Sequence, residues 1–256
     1  MEVDWWTGLP VAVLLGGIGA WAVAAARRRP GFNRWRAGLL ALGAAVVVGV
    51  VSGPLDRAGR DGLLSAHIVQ HIVLADLAAP LLVLSVPPGA RRRMLANRAG
   101  ALLGRPFIVL ALWTALIYLW FVPSLHREAM PGGAVHLVDQ AAFFAAGLLL
   151  WAMIFDARSA RPLGAALKRG GLPWWARHLY AMGSRALLIP AAAVLWASPD
   201  ARYHLRGGWD FGMTRSDDGE AAAAIMTGFE MMLFTFAVFL VFILVAVKEG
   251  DHDQTG

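Results

Sequence analysis

Seven long apolar runs, separated by short polar segments, constrain this chain more than any other feature. They cover roughly residues 8–26, 37–53, 64–86, 106–122, 133–155, 178–197 and 220–247. A run of about 18 or more apolar residues is long enough to cross a bilayer as a helix. Hydrophobic residues make up 58% of the 256 and charged residues only 16%, which excludes an ordinary soluble domain. The alternation leaves no stretch for a separate soluble unit. The expectation is an all-α polytopic integral membrane helix bundle of about seven spans, forming one domain over residues 1–256. The abundance of Ala and Gly suits helices that pack closely through small residues.

The positive charges alternate along the chain as seven crossings require. Segments 27–36, 87–105, 156–177 and 248–256 hold 16 Lys and Arg, whereas 1–7, 54–63, 123–132 and 198–219 hold 6. The positive-inside rule makes the first set cytoplasmic, with the N-terminus outside and the C-terminus in the cytoplasm. The opening MEVDWWTGLP carries acids and no base, unlike a cleaved signal peptide, so the first run is expected to be retained. RRRPGFNRWR and RRRMLANR abut apolar runs and suit anionic lipid headgroups of a bilayer rather than nucleic acid. Trp5, Trp6, Trp35, Trp174 and Trp175 fall at expected interfaces, where indole rings anchor.

Within the third run, His67 and His71 are four residues apart, which puts both imidazoles on one helical face, one turn apart. Ionisable groups in a span usually face the bundle interior and serve a function. The expected topology places His67 and His71 in the outer turns of that span. It places His136 in the outer turn of the fifth span, with Asp139 and Gln140 a turn deeper. Asp218 falls at the mouth of the seventh span, with Met226 about two turns in. His126, His204, Met130 and Met213 are read as outer-loop residues, the two histidines more readily as headgroup or backbone partners than as ligands. The chain has no cysteine, so metal chemistry must use His, Met or carboxylate. His with Met suits copper; His with carboxylate suits zinc or iron. His67, His71 and His136 are the expected ligands.

A second polar set lies deeper. Asp76, Arg185 and Glu230 each fall near the midplane of a hydrocarbon core about 30 Å thick. Charges there are costly and normally pair. Arg185 is therefore expected against Asp76, Glu230 or both, in a mainly structural cluster. Nine steps of about 100° put Asp76 half a turn away from His67, so it is expected to stand apart from the histidine site.

The third-run stretch His67-Ile-Val-Gln-His71-Ile-Val-Leu, followed by Ala79-Pro80-Leu81-Leu82-Val83-Leu84 and Pro87, resembles the CtaG family of membrane-bound cytochrome c oxidase assembly factors. Pro123, His136, Phe143, Phe144, Gly147 and Trp151 follow the family's pattern through the fifth run. Asp218, Ala222 and Met226 follow it at the seventh. The resemblance covers about residues 60–155 and 215–245. It implies about seven spans in a bacterial cell membrane, and a part in maturing a haem–copper oxidase through copper, with no substrate turnover. Asp139, Asp218 and Met226 would then support or complete the ligand shell of His67, His71 and His136. The chain departs from the family where a Glu-His pair is favoured and Asp139-Gln140 stands. It departs again at Asp218-Gly219, Ala222-Ala223 and Met226-Thr227, and Asp76 and Glu230 are unusual, which suggests a divergent member.

Other readings compete. A membrane haem protein would use His67 or His71 with His136 as axial ligands. An intramembrane metalloprotease would want the HEXXH pattern, but Ile68 follows His67 and supplies no base. A transporter would want paired broken helices, which the sequence does not display.

Overall fold

The computed structural model describes residues 33–94, 102–155, 172–197, 203, 212–229, 231, 232, 235 and 239. Every regular element among them is helical. In chain order these are α1 (Arg34–Ser52), α2 (Pro54–Arg60), α3 (Leu64–Ile72), a π-helical turn (Val73–Ala78), α4 (Ala79–Ser85) and α5 (Pro88–Met94). Then come α6 (Pro106–Trp120), α7 (Pro123–Ala129), α8 (Ala134–Ile154), α9 (Trp174–Ala186), α10 (Ile189–Ala197), α11 (Arg215–Ala224) and a second π turn (Ile225–Phe229).

Among the described residues, four helical stretches are long and apolar enough to cross a membrane: Arg34–Arg60, Leu64–Ser85, Ala134–Ile154 and Ala176–Ala197. They coincide with four of the expected runs. The run expected at 106–122 is helical only from Pro106 to Trp120, then bends by 84° into α7; the pair makes a fifth candidate if it counts as one span. The bend has a local cause. Val122 precedes Pro123 and is extended, with φ −71° and ψ 117°, because the proline ring disfavours the helical region for its predecessor. The first expected run lies outside the described residues, as does Glu230. The seventh is described from α11 through Ile225–Phe229 and at a few positions beyond. The chain is a multi-pass, all-helical membrane protein.

The Leu64–Ser85 stretch is the most enclosed of the four candidate spans. It packs against α1, α8 and α11. Its closest approach is to α8 at Gly147, where a Cβ would lie 2.7 Å from the Ala75 Cα and 2.8 Å from the Ala75 carbonyl oxygen. Only glycine allows the two backbones so near. One turn on, the Trp151 indole Nε1 donates to the Ala75 carbonyl (2.9 Å) and to Asp76 Oδ1 (3.2 Å). Ala75 lies in the π turn, where the widened ladder frees a carbonyl for a side-chain donor. The turn ends against Pro80, whose nitrogen has no proton to give to the Asp76 carbonyl four residues back.

Asp76 itself meets Arg185 from α9. The guanidinium grips the carboxylate with both terminal nitrogens, Nη1 at 2.9 Å from Oδ2 and Nη2 on Oδ1. Both side chains are buried, and the guanidinium carbon stands 4.8 Å from the Trp113 ring centroid. The expected Arg185–Asp76 pair is thus present, but Asp76 is not remote from the histidines: it lines the same cavity as His71 and His126. Large apolar side chains such as Phe107, Leu137, Leu179 and Trp196 point outward, as helices surrounded by acyl chains require.

Gly147→Leu should lower stability by about 1–3 kcal/mol, since the added atoms meet backbone rather than a movable side chain. Arg185→Met should cost more, about 3–5 kcal/mol, because it strips the buried Asp76 carboxylate of its guanidinium. Unfolding of the purified chain in detergent measures both; an unchanged midpoint for either would contradict the packing described.

Candidate metal centre

α3 begins without a side-chain cap of its own. Its first amides are met from another helix instead. Asp218 of α11 accepts from Leu64 N with Oδ2 (2.7 Å) and from Ser65 N with Oδ1 (3.0 Å). A carboxylate at a helix N-terminus satisfies orphan donors and complements the helix dipole. Asp218 therefore fixes the turn that carries His67, and one turn further His71.

The two imidazoles converge on α8. His67 Nε2 and His71 Nε2 each stand 3.1 Å from Asp139 Oδ2 and 3.0 Å from one another. His67 and Asp139 are almost wholly enclosed, at 0% and 1% exposure, and His71 is half-buried. Despite these short distances, neither Asp139 oxygen meets an aligned hydrogen-bond donor. The Nδ1 atoms of His67 and His71 have no partner either. Three ligand atoms of the right kind thus gather in a small triangle. A tetrahedral ion with ligands at about 2.0 Å spaces its ligand atoms about 3.3 Å apart. The observed edges of 3.0–3.1 Å fit such an ion seated just above the triangle.

The remaining residues expected at the site surround this triad. The His136 ring centroid is 5.7 Å from that of His67. Its Nδ1 faces the Ala129 carbonyl oxygen (3.0 Å) and its Nε2 faces Asp56 Oδ1 (3.0 Å), so both nitrogens are committed to oxygen acceptors. Asp56 is buried in α2 and also accepts from Gln70 Nε2 (3.0 Å) and Arg60 Nε (2.8 Å). This polar cluster braces α2 against α3, where Gly59 lets the backbones close: a Cβ there would lie 2.7 Å from Gln70 Oε1. Gln140 Nε2 stands 3.5 Å from His136 Nε2. Asp218 reaches the site through the α3 amides. Met226 borders an apolar cavity that His71 also lines.

One neighbour was missed in the sequence. His126, read there as a loop residue, is buried, and its ring centroid lies 5.2 Å from that of His67 with the planes at 88°. It also lines the cavity beside His71. The 84° turn at Pro123 folds it inward, and the proline three residues ahead was the available signal.

Asp218→Ala should cost about 1–2 kcal/mol, the usual loss of a helix cap. It should also speed hydrogen exchange at the Leu64 and Ser65 amides. Unaltered exchange there would show that the helix start does not depend on this carboxylate.

No curated protein and no solved structure matches this chain. A family model does: cytochrome c oxidase caa3 assembly factor (Caa3_CtaG) matches residues 20–247. With nearly the whole chain covered, and with the His67–His71 helix and α8 inside the match, this protein belongs to the caa3 assembly factor family of cytochrome c oxidase.

Proposed function

We propose that this protein carries copper for the maturation of a haem–copper oxidase, holding the ion with His67, His71 and Asp139. One observation carries the reading. Four carboxylates are buried among the described residues: Asp56, Asp76, Asp139 and Asp218. Asp56, Asp76 and Asp218 accept aligned hydrogen bonds, whereas both oxygens of Asp139 do not. A buried carboxylate beside two imidazoles is costly unless positive charge joins it, from a metal ion or from a proton on an imidazole, and the lack of an aligned hydrogen bond favours the ion. Two imidazoles and a carboxylate suit borderline ions such as copper and zinc, and membership of an oxidase assembly family favours copper, which such an oxidase contains.

His136 then supports the site through Asp56 and Gln70, and Asp218 through the start of α3. Met226 offers a soft thioether at the edge of the neighbouring cavity. Seven crossings with the N-terminus outside would place the centre toward the outer face of a bacterial cell membrane, where an oxidase subunit would collect the ion. The ion is cargo, and no substrate is turned over. Haem ligation by His67 or His71 with His136 is disfavoured, since both His136 nitrogens already face oxygen acceptors.

Metal analysis of the purified chain after loading with copper tests the reading. Wild type should retain stoichiometric copper. His67→Ala with His71→Ala should retain at least about tenfold less, and Asp139→Asn should fall in the same direction. Equal copper in wild type and the double variant would remove the ligand role.

A further inference from the structure

Three protein ligands leave one position of a tetrahedral ion open. Four polar groups border the triad closely enough to be considered for it: His126, His136, Gln140 and Met226. His136 has both nitrogens engaged. Gln140 turns its Nε2 toward His136, while its Oε1, a weaker amide-oxygen ligand, is buried without a partner. Met226 borders the cavity as part of the apolar core.

His126 is the imidazole among them with an uncommitted nitrogen. It is only 8% exposed, and its Nε2 is cut off from solvent with no hydrogen-bond partner. Leaving such an atom unsatisfied costs about 1–3 kcal/mol. Imidazoles sharing a tetrahedral ion at about 2.0 Å have ring centroids about 5 Å apart; the His67–His71 and His67–His126 separations are 4.5 and 5.2 Å. Its Nε2 is not one of the three converging atoms, so the ring must move to complete the shell. The movement would break the ring's backbone hydrogen bond with Trp120. His126 and His71 line a common cavity of ≈ 50 Å³, several times the roughly 10–15 Å³ that one water requires on the same measure.

We propose that His126 is a mobile fourth ligand: its imidazole swings from the cavity wall onto an ion held by His67, His71 and Asp139. Swinging back opens one coordination position toward the cavity, the side on which an incoming ligand can replace it. A ligand that comes and goes suits a carrier, because His67 and Asp139 are too enclosed to be approached directly. This inference rests on the metal-carrying reading and deepens it.

The test uses the full chain in detergent, titrated with Co(II) alone, whose visible absorption reports ligand identity and number. Wild type should give an intense four-coordinate spectrum. His126→Gly should shift the bands and weaken Co(II) binding at least about tenfold, and added free imidazole should restore both. A spectrum unchanged in His126→Gly, with affinity within about twofold of wild type, overturns the fourth-ligand role while leaving the triad intact. Weakened binding that imidazole does not restore also overturns it, in favour of a packing role. If His126→Gly does not fold, His126→Gln keeps the volume, and wild-type bands in that variant overturn the proposal. Failure of wild type itself to bind Co(II) removes the metal centre and this ligand together.

Discussion

A carboxylate inside an apolar bundle must be met by donors, and those donors must come from somewhere other than its own apolar helix. That requirement organises this protein. Asp76 is met by Arg185 of α9 and Trp151 of α8. Asp218 of α11 takes the first amides of α3. Asp56 of α2 gathers Gln70 from α3 and His136 from α8. In lipid, apolar side chains gain little by touching one another rather than acyl chains. These polar joints, with the close backbone contact at Gly147, therefore decide which helices become neighbours. Asp139 departs from the rule: two imidazole nitrogens crowd one of its oxygens at 3.1 Å, yet neither oxygen meets an aligned hydrogen-bond donor.

Much of this was legible in the sequence. Apolar runs marked the four candidate spans found among the described residues, because length and hydropathy are properties of the run itself. The i, i+4 spacing placed His67 and His71 on one face, and the depth argument brought Asp139 near them. Asp76 was expected apart from the histidines, yet it shares a cavity wall with His71 and His126; the π turn at Val73–Ala78 means the angle between them does not follow from α-helical steps. Its pairing with Arg185 followed from the cost of midplane charge.

What escaped the sequence were relations across helices. Depth alone could not tell that His136 is occupied by Ala129 and Asp56, because a polar residue's partner is set by packing angle as well as height. His126 escaped for a different reason. A topology drawn from charge treats everything between two spans as loop, whereas the chain after Trp120 turns through 84° and runs back over the site. Asp218 was placed near the mouth of the site, but its hold on the α3 amides depends on two runs meeting end to end.

That hold has a consequence for order in time. Leu64 N and Ser65 N are capped by a residue 154 and 153 positions later, and Asp76 pairs with one 109 positions later. Synthesis proceeds from the N-terminus, so the histidine helix enters the membrane with its first amides and its midplane charge unmet. In chain order Arg185 becomes available to the charge before α11 becomes available to the amides. The helix bearing His67 and His71 therefore gains its cap only after every proposed ligand has been made, and a fragment ending before Asp218 carries those ligands on an uncapped helix.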